Sequence, residues 1–260
     1  MAITLQNLAP FGIEMTGINI SEAEEDVIFN LKHLLAHHGV VIIRQQWMDD
    51  AEFVSFLKRL GSLMFTAGEK PVPHQPCLNL VSNVGRDRPP RSVFHTDTSY
   101  VAQPPAYTAL KAISLPEFGG ETLFCNQYCA FETLSTQVKQ RLSSATVLHV
   151  ASGVKLDNDQ ESQAWHSLFK RHPISGKTAL FLSTPERCQV IQGFNLEESQ
   201  RAIRSLYKHS IRSYRLYRHY WQNGDIVIWD NRCTMHRADH SEVIGDRVLY
   251  RGLIASEMDN

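Results

Sequence analysis

A histidine and an aspartate stand two positions apart in the tripeptide His95-Thr96-Asp97. In extended backbone, residues two positions apart point to the same face, so this imidazole and this carboxylate can bind one metal ion. Such a pair is also common on protein surfaces, where it has no special function. A metal site therefore requires a further ligand from another part of the chain.

His236 is the candidate for that further ligand. It follows a buried apolar strand at 226–229 and a polar turn. Two histidines and one carboxylate form a facial ligand set that suits Fe(II) and leaves coordination positions open for a cosubstrate and O₂. The alternative is that His236 is an ordinary core or turn histidine.

Arg247 and Arg251 lie on one predicted strand, where positions 247, 249 and 251 share a face. Two guanidinium groups on one face of an apolar strand are costly to bury without anions. They fit a cavity that binds carboxylates, because arginine presents fork-shaped donors that match a carboxylate. The alternative is an edge strand with both side chains in solvent.

Gly119 and Gly120 predict a turn, and Thr122 opens the strand that follows it. The hydroxyl of Thr122 is a candidate donor to a carboxylate of the cosubstrate.

The secondary-structure elements that position these residues are predicted to be mainly helices in the first part of the chain and mainly strands in the rest. A helix is predicted over 21–38, with Ser21 as its N-cap and Gly39 as its end, followed by a buried strand at 40–43. A second amphipathic helix is predicted over 49–60, with Gly61 as its end. Residues 62–105 are rich in Pro and Gly and show little periodicity, so we expect a long functional loop there.

Strands dominate the rest of the chain. They are predicted at 107–115, 122–126, 145–152, 178–183, 213–220, 225–230 and 247–254, with one helix at 196–209 capped by Asn195. The predicted fold class is therefore mainly β with flanking helices (α+β), a sandwich or jelly roll. No linker interrupts the pattern, so we expect one domain over 1–260.

Composition excludes several classes of protein. The chain has 26 Lys and Arg against 27 Asp and Glu, a net charge of −1, which argues against a nucleic-acid-binding protein. The longest apolar run is too short to cross a membrane, and no secretory signal sequence is recognised at the N-terminus. Five cysteines, an odd number without a Cys-x-x-Cys motif, indicate reduced thiols and a cytoplasmic protein.

The motifs in this order resemble the Fe(II)/2-oxoglutarate dioxygenases of the taurine dioxygenase and 2,4-dichlorophenoxyacetate dioxygenase family. The resemblance extends from the Gly39 segment to Ile254. It rests on HTD at 95–97, GGETLF at 119–124, RHPISGKTALF at 171–181, WDNRCTMHR at 229–237, and the pair Arg247 and Arg251.

The resemblance implies a double-stranded β-helix, a cupin-like jelly roll with helices outside. It implies Fe(II) held by His95, Asp97 and His236, with 2-oxoglutarate and O₂ as cosubstrates and ascorbate as a supporting reductant. Thr122 and Arg247 would bind the distal carboxylate of 2-oxoglutarate. The family reaction couples decarboxylation of 2-oxoglutarate, giving succinate and CO₂, to hydroxylation of a C–H bond.

Arg251 would then stand near the iron-bound end of the cosubstrate or near the acidic group of the substrate. The implied substrate is a small anion: a sulfonate, an aryloxy or other carboxylate, or an amino acid. The taurine enzymes carry a substrate-binding histidine early in the loop before the His-x-Asp motif, where this chain has Thr66. The substrate-binding candidates are His74, Thr98 and Arg91, and we expect residues 62–93 to form part of a lid.

Two other readings stay open at this stage. The same His/Asp/His set can hold Zn²⁺ in a hydrolase, which would leave Thr122 and one arginine without a role. A non-catalytic jelly-roll binding protein can keep the fold without turnover. Neither nucleic acid nor membrane is expected as a partner, and the pattern leaves a homo-oligomer open.

Overall fold

The computed structural model describes residues 2–66, 68–85, 92–154 and 156–255. Five α-helices and seventeen strands lie in these ranges. The helices are α1 Glu25–His38, α2 Asp50–Leu60, α3 Gln127–Glu132, α4 Thr136–Arg141 and α5 Leu196–Ser210. The strands are β1 Thr4–Asn7, β2 Ile13–Thr16, β3 Val40–Ile43, β4 Leu63–Met64, β5 Pro71–Val72, β6 Gln75–Ser82, β7 Tyr107–Ser114, β8 Thr122–Asn126, β9 Thr146–Val150, β10 Gln163–Ser167, β11 Phe169–Arg171, β12 Thr178–Leu180, β13 Cys188–Ile191, β14 Leu216–His219, β15 Ile226–Asp230, β16 Thr234–Ala238 and β17 Val248–Ile254.

A large sheet forms the frame of the molecule. Its strand order is β1-β2-β3-β15-β7-β17-β6-β5, with β4 also paired to β17. A small sheet with the order β14-β8-β16 faces it, which gives the jelly-roll architecture that the sequence predicts. The strands β10-β9-β13 and the pair β11-β12 form two further small sheets, and α5 packs with their apolar residues in a separate cluster.

The central strands of the large sheet are apolar throughout because both of their faces are buried. One face packs against α1 and α2, and its residues include Val41, Ile43, Ile226 and Ile228. The other face packs against Phe124 of the small sheet, and its residues include Val40, Ile42, Val227 and Trp229. Consecutive residues of β3 and β15 alternate between the two clusters, as the period of a strand requires.

The helices differ from prediction at the start of α1 and at α3 and α4, two short helices that were not predicted. Ser21 is not the N-cap of α1, because residues Ile20–Glu22 form a short 3₁₀ helix in which Asn19 accepts a hydrogen bond from the Ser21 amide. The α-helix begins at Glu25, and it ends before Gly39, which has φ 76°. Helix α2 is as predicted, with Asp49 as its N-cap in a capping box.

The expectation of a long irregular segment at 62–105 is wrong in part. Strands β4, β5 and β6 lie within it, and β6 pairs with β17 over four residues of the large sheet. Pro76 and the polar residues of β6 conceal this strand in the sequence, although its pairing places Leu78 in the main core. The predicted strand at 213–220 starts as a 3₁₀ helix, Ser213–Arg215, before β14.

Candidate active site

His95, Asp97 and His236 meet at the end of the space between the two main sheets. Nε2 of His95 lies 3.5 Å from Oδ1 of Asp97, and Nε2 of His236 lies 3.9 Å from Oδ2. One ligand atom from each residue lies within 4.8 Å of the other two. The structure thus brings together the three residues that the His-x-Asp motif and the distant histidine suggested.

Backbone pairing fixes the two histidines side by side. Each donates its amide N–H to the carbonyl oxygen of the other, at 3.0 Å in both directions, and their ring centroids are 4.4 Å apart. Nδ1 of His95 lies 3.0 Å from the carbonyl oxygen of Val93, an acceptor, so Nδ1 carries the proton. Nε2 of His95 then has a free lone pair directed at the cluster, which is the tautomer that a metal ligand needs.

A chain of hydrogen bonds holds the carboxylate of Asp97. Thr108 on β7 donates its hydroxyl to Oδ2 of Asp97 at 2.8 Å. Asn231 donates Nδ2–H to the Thr108 hydroxyl at 2.8 Å, and Trp229 donates Nε1–H to Oδ1 of Asn231 at 3.0 Å. We call these three residues the Asp97 support chain. Its members are buried, so the carboxylate is held in one orientation.

The local electrostatics leave the three groups ready to bind a cation. Burial lowers the pKa of His236 to about 3, which keeps its imidazole neutral at neutral pH. Burial acts to raise the pKa of Asp97, but His236, His95 and the Arg251 guanidinium outweigh it and hold this pKa well below its usual range. Two imidazoles and one ionised carboxylate are the donor set that suits Fe(II), so the residues present fit this metal.

Arg247 is a buried cation without a carboxylate partner among the described residues. Its Nε donates to the carbonyl oxygen of Gly120 at 2.7 Å and its Nη2 to the hydroxyl of Thr122 at 3.2 Å. Burial lowers its pKa to about 10, so it stays charged at neutral pH. A side chain at Gly120, which has φ 79°, would stand 2.9 Å from Cδ of Arg247, so this glycine makes room for the guanidinium.

Arg251 stands directly beside the three-residue cluster. Its Nη1 lies 3.5 Å from Oδ1 of Asp97, and its Nη2 donates to the hydroxyl of Thr66 at 3.3 Å. Nη2 also lies 3.7 Å from Oε1 of Glu69. The Thr66 hydroxyl lies 3.5 Å from that of Thr98, so two neighbouring hydroxyls lie beside the Arg251 guanidinium.

The remaining predicted residues have different outcomes. Thr98 lies in this group, while the structure places His74 in the exposed turn between β5 and β6 with φ 67°. Arg91 lies outside the described residues, as do Arg86 and Arg88 of the same segment.

Sequence reasoning missed Thr108 and Glu69 altogether. A signal for Thr108 exists, because it is a polar residue between apolar Tyr107 and Ala109 in the buried first half of β7. Glu69 carries no such signal, since it lies in a loop where acidic residues are common.

The sequence matches the family model described as "Taurine catabolism dioxygenase TauD, TfdA family" over residues 4–253. The chain belongs to this family. The match covers both sheets and all residues of the candidate site. The family is one of 2-oxoglutarate-dependent dioxygenases, so the chain is an oxidoreductase that uses Fe(II), 2-oxoglutarate and O₂.

Named relatives of this TauD/TfdA family member act on several anions. The 2,4-dichlorophenoxyacetate dioxygenase of Cupriavidus pinatubonensis is 25% identical over 96% of this chain and 97% of its own length. The sulfonate dioxygenase of Saccharomyces cerevisiae is 29% identical over 87% of the chain and 60% of its own. A putative sulfonate dioxygenase of Schizosaccharomyces pombe is 36% identical, but the match covers only 61% of this chain and 42% of that protein.

Solved structures show the same fold. A putative taurine dioxygenase from Burkholderia xenovorans superposes with a TM-score of 0.86 at 26% identity, covering 98% of this chain and 93% of that one. AAD-2, crystallised in complex with Mn(II) and N-oxalylglycine, superposes with a TM-score of 0.85 at 23% identity, covering 98% of each chain. The fold prediction of a jelly roll is therefore confirmed.

Two further features concern the cysteines and the helices of the chain. The five cysteines are free thiols. No helix within the described ranges combines the length and the apolar character that a membrane span requires.

Proposed function

We propose that His95, Asp97 and His236 hold the Fe(II) of this dioxygenase, and that the enzyme hydroxylates a C–H bond of a small sulfonate or aryloxy carboxylate. One observation supports this above all others. Arg251 lies beside the facial ligand set, and Arg247, four residues earlier in the chain, is buried without a carboxylate partner in the described structure. A dioxygenase that binds a dicarboxylate and an anionic substrate uses both cations.

Iron supplies the activation of O₂ that is coupled to decarboxylation of 2-oxoglutarate. The chain itself supplies binding and orientation. Arg247 and Thr122 bind the distal carboxylate of 2-oxoglutarate, because their donors already converge next to Gly120. A charge-assisted hydrogen bond in this enclosed position selects a dicarboxylate over a monocarboxylate.

An apolar wall keeps water away from the His236 side of the site. The ring of Trp229 packs against that of His236 with centroids 4.3 Å apart, and Phe124 stacks on the same imidazole at 6.4 Å. Both rings are fully buried. A dry site strengthens the electrostatic contacts of the bound anions and protects reactive intermediates from side reactions.

Two observations support the proposed substrate class: Arg251 lies beside the proposed metal ligands, and related enzymes are named for anionic substrates. Arg251, with the Thr66 and Thr98 hydroxyls beside it, offers donors to a sulfonate or carboxylate group. Relatives that cover most of this chain are named for 2,4-dichlorophenoxyacetate and for sulfonates. We therefore place the acidic group of the substrate at Arg251, with its scissile C–H bond toward the metal ligands.

A hydrolase that binds Zn²⁺ through the same three residues is less consistent with the geometry. Hydrolysis of a small ester needs an activated water but no second, deeply buried cation. Arg247 would then be a buried cation without a role in the reaction. We further propose a single domain and a cytoplasmic location, which the free thiols support.

A substrate screen tests this function. Purified enzyme with Fe(II), ascorbate, O₂ and 2-oxoglutarate is offered alkyl and aryl sulfonates, phenoxyacetates and amino acids, and succinate is quantified beside the organic product. We expect one sulfonate or aryloxy carboxylate to give succinate and hydroxylated product in equal amounts. Coupled turnover of amino acids only, with no sulfonate or aryloxy carboxylate hydroxylated, would contradict the proposed substrate class.

A further inference from the structure

Asn79 is a fully buried residue whose side-chain amide has no hydrogen-bond partner in the described part of the chain. Its exposed fraction is 0%, and both Nδ2 and Oδ1 lack a partner. Buried carboxamides in folded proteins are nearly always hydrogen-bonded, and one that is not calls for a physical reason. The position of Asn79 in the large sheet supplies that reason.

Asn79 lies on β6 directly opposite Arg251 on the antiparallel strand β17. Side chains of directly opposed residues in such a pair point to the same face of the sheet. The neighbours of Asn79 agree, because Leu78 and Leu80 pack on the helix side while Val81 packs between the sheets. The amide of Asn79 therefore points into the space between the sheets, beside the guanidinium of Arg251.

Arg251 has an unsatisfied donor of its own at this place. Its two Nη atoms contact Asp97, Thr66 and Glu69, but its Nε is buried without a partner among the described residues. The unpartnered amide and the unpartnered N–H thus belong to two directly opposed residues, on the face of the large sheet from which Arg251 reaches Asp97. Two such groups together are expected where a polar ligand completes the site.

We propose that Asn79 is a ligand-binding residue that, together with Arg251, recognises an oxyanion group: a carboxylate, sulfonate or sulfate. With the anion bound, Nδ2 would donate to one of its oxygens, and Oδ1 would accept from Nε of Arg251 and so orient the guanidinium; the structure itself contains neither bond. The inference rests on the proposed function, since it presumes that an anion binds at Arg251. It adds a specificity residue that is neither a metal ligand nor a cation.

The two sources of such an anion are 2-oxoglutarate and the prime substrate. The test therefore has two arms, both with Mn(II)-loaded full-length protein so that no turnover occurs. Calorimetric titration of 2-oxoglutarate forms the first arm. Titration of benzenesulfonate and of phenoxyacetate into the Mn(II)–2-oxoglutarate complex forms the second.

Asn79→Leu is the informative variant, because leucine has a similar volume and no polar atoms. We expect its affinity in at least one arm to fall about tenfold, the usual effect of losing a hydrogen bond to a charged group. The melting temperature of the ligand-free variant should stay equal or rise, since two unsatisfied groups leave the core. Asn79→Asp, which puts a negative charge next to the anion, should weaken binding further.

Gln46→Leu is the matched control. Gln46 is a buried carboxamide outside the candidate site. Its Oε1 accepts from the Ile20 amide, and its Nε2 donates to the carbonyl oxygens of Ile18 and Arg44. Its replacement should lower the melting temperature and leave both affinities unchanged, the reverse of the result for Asn79→Leu.

A loss in the first arm assigns the amide to 2-oxoglutarate, and a loss in the second assigns it to the prime substrate. Unchanged affinities in both arms for Asn79→Leu, or a lower melting temperature with unchanged binding, would overturn the proposal. Wild-type succinate formation is measured separately, so that a failure of the proposed reaction is distinguished from a failure of the Asn79 assignment.

Discussion

Thr108 donates its hydroxyl proton to Oδ2 of Asp97 across 2.8 Å, from the middle of the large sheet to the loop that carries the His-x-Asp motif. Thr108 is held in turn by Asn231, and Asn231 by Trp229, whose ring packs on His236. The end of strand β15 therefore supports two of the three proposed metal ligands at once. This arrangement explains why a loop residue such as Asp97 has one fixed orientation before any ion binds.

Thr108→Val should weaken metal binding without unfolding the protein. Valine has the shape of threonine but cannot donate to Asp97, and loss of such a supporting contact typically costs 10- to 100-fold in metal affinity. The dissociation constant for Mn(II), measured by electron paramagnetic resonance, checks the effect. Thr108→Ser, which keeps the hydroxyl, should bind nearly as the wild type, and equal affinities for the valine and serine variants would contradict the support chain.

Arg247→Lys should impair binding of 2-oxoglutarate and leave metal binding intact. A charge-assisted hydrogen bond in a closed pocket contributes about 1.5–3 kcal/mol, which is roughly a 10- to 100-fold change in affinity. Lysine keeps the charge, but its ammonium group lacks the planar fork of donors that can bind Gly120 and a carboxylate together. Arg247→Lys should therefore retain only part of the affinity that Arg247→Ala loses. Steady-state KM for 2-oxoglutarate measures this, and an unchanged KM in both variants would remove Arg247 from the cosubstrate site.

Arg251→Ala should separate decarboxylation from hydroxylation. If Arg251 binds the acidic group of the prime substrate, the variant loses substrate affinity and releases more succinate per hydroxylated product than the wild type. The ratio of the two products, measured at saturating 2-oxoglutarate, gives the coupling. A ratio equal to that of the wild type, together with a raised KM for 2-oxoglutarate, would move Arg251 to the cosubstrate instead.

Much of this site could be predicted because its residues belong to local motifs. His95 and Asp97 are two positions apart on one face, and the diglycine before Thr122 predicts its turn, with Gly119 and Gly120 both at positive φ. Thr108 and Asn79 could not be predicted in the same way. Their roles depend on which residue lies across from them in the sheet, and one sequence does not give strand pairing.

The fold shows the same division between local and long-range signals. Helix α2 carries its own capping box and apolar face, and its predicted bounds agree with the structure within a residue. Strand β6 has a proline and scattered polar residues, and its pairing with β17 and β5 makes it a strand. The start of α1 was missed because Asn19 binds the Ser21 amide and competes with the helix for that residue.

The buried Asp230 should make stability fall in acid. Burial alone would raise its pKa, but Arg232 and His172 outweigh burial and lower the pKa to about 2, against about 3.9 in an unfolded chain. A carboxylate with a depressed pKa stabilises the fold fully above about pH 4, and this contribution, about 2–3 kcal/mol, disappears as the pH falls from 4 through 2.

Urea unfolding at several pH values checks this contribution. Between pH 4 and 2 the free energy of unfolding should decline less steeply in Asp230→Asn than in the wild type, because the variant has no proton to take up there. Parallel curves for the two proteins would show that Asp230 does not carry this part of the acid sensitivity.

The central claim is that His95, Asp97 and His236 hold the iron at which 2-oxoglutarate is consumed. The most direct measurement is succinate released from 2-oxoglutarate by purified protein with Fe(II), ascorbate and O₂, compared with Asp97→Ala and with Glu161→Ala as a surface control outside the site. We predict succinate from the wild type and the Glu161 variant, and a loss of at least about 100-fold in Asp97→Ala, since the iron loses its only anionic protein ligand. Wild-type rates of succinate release in Asp97→Ala would contradict the account.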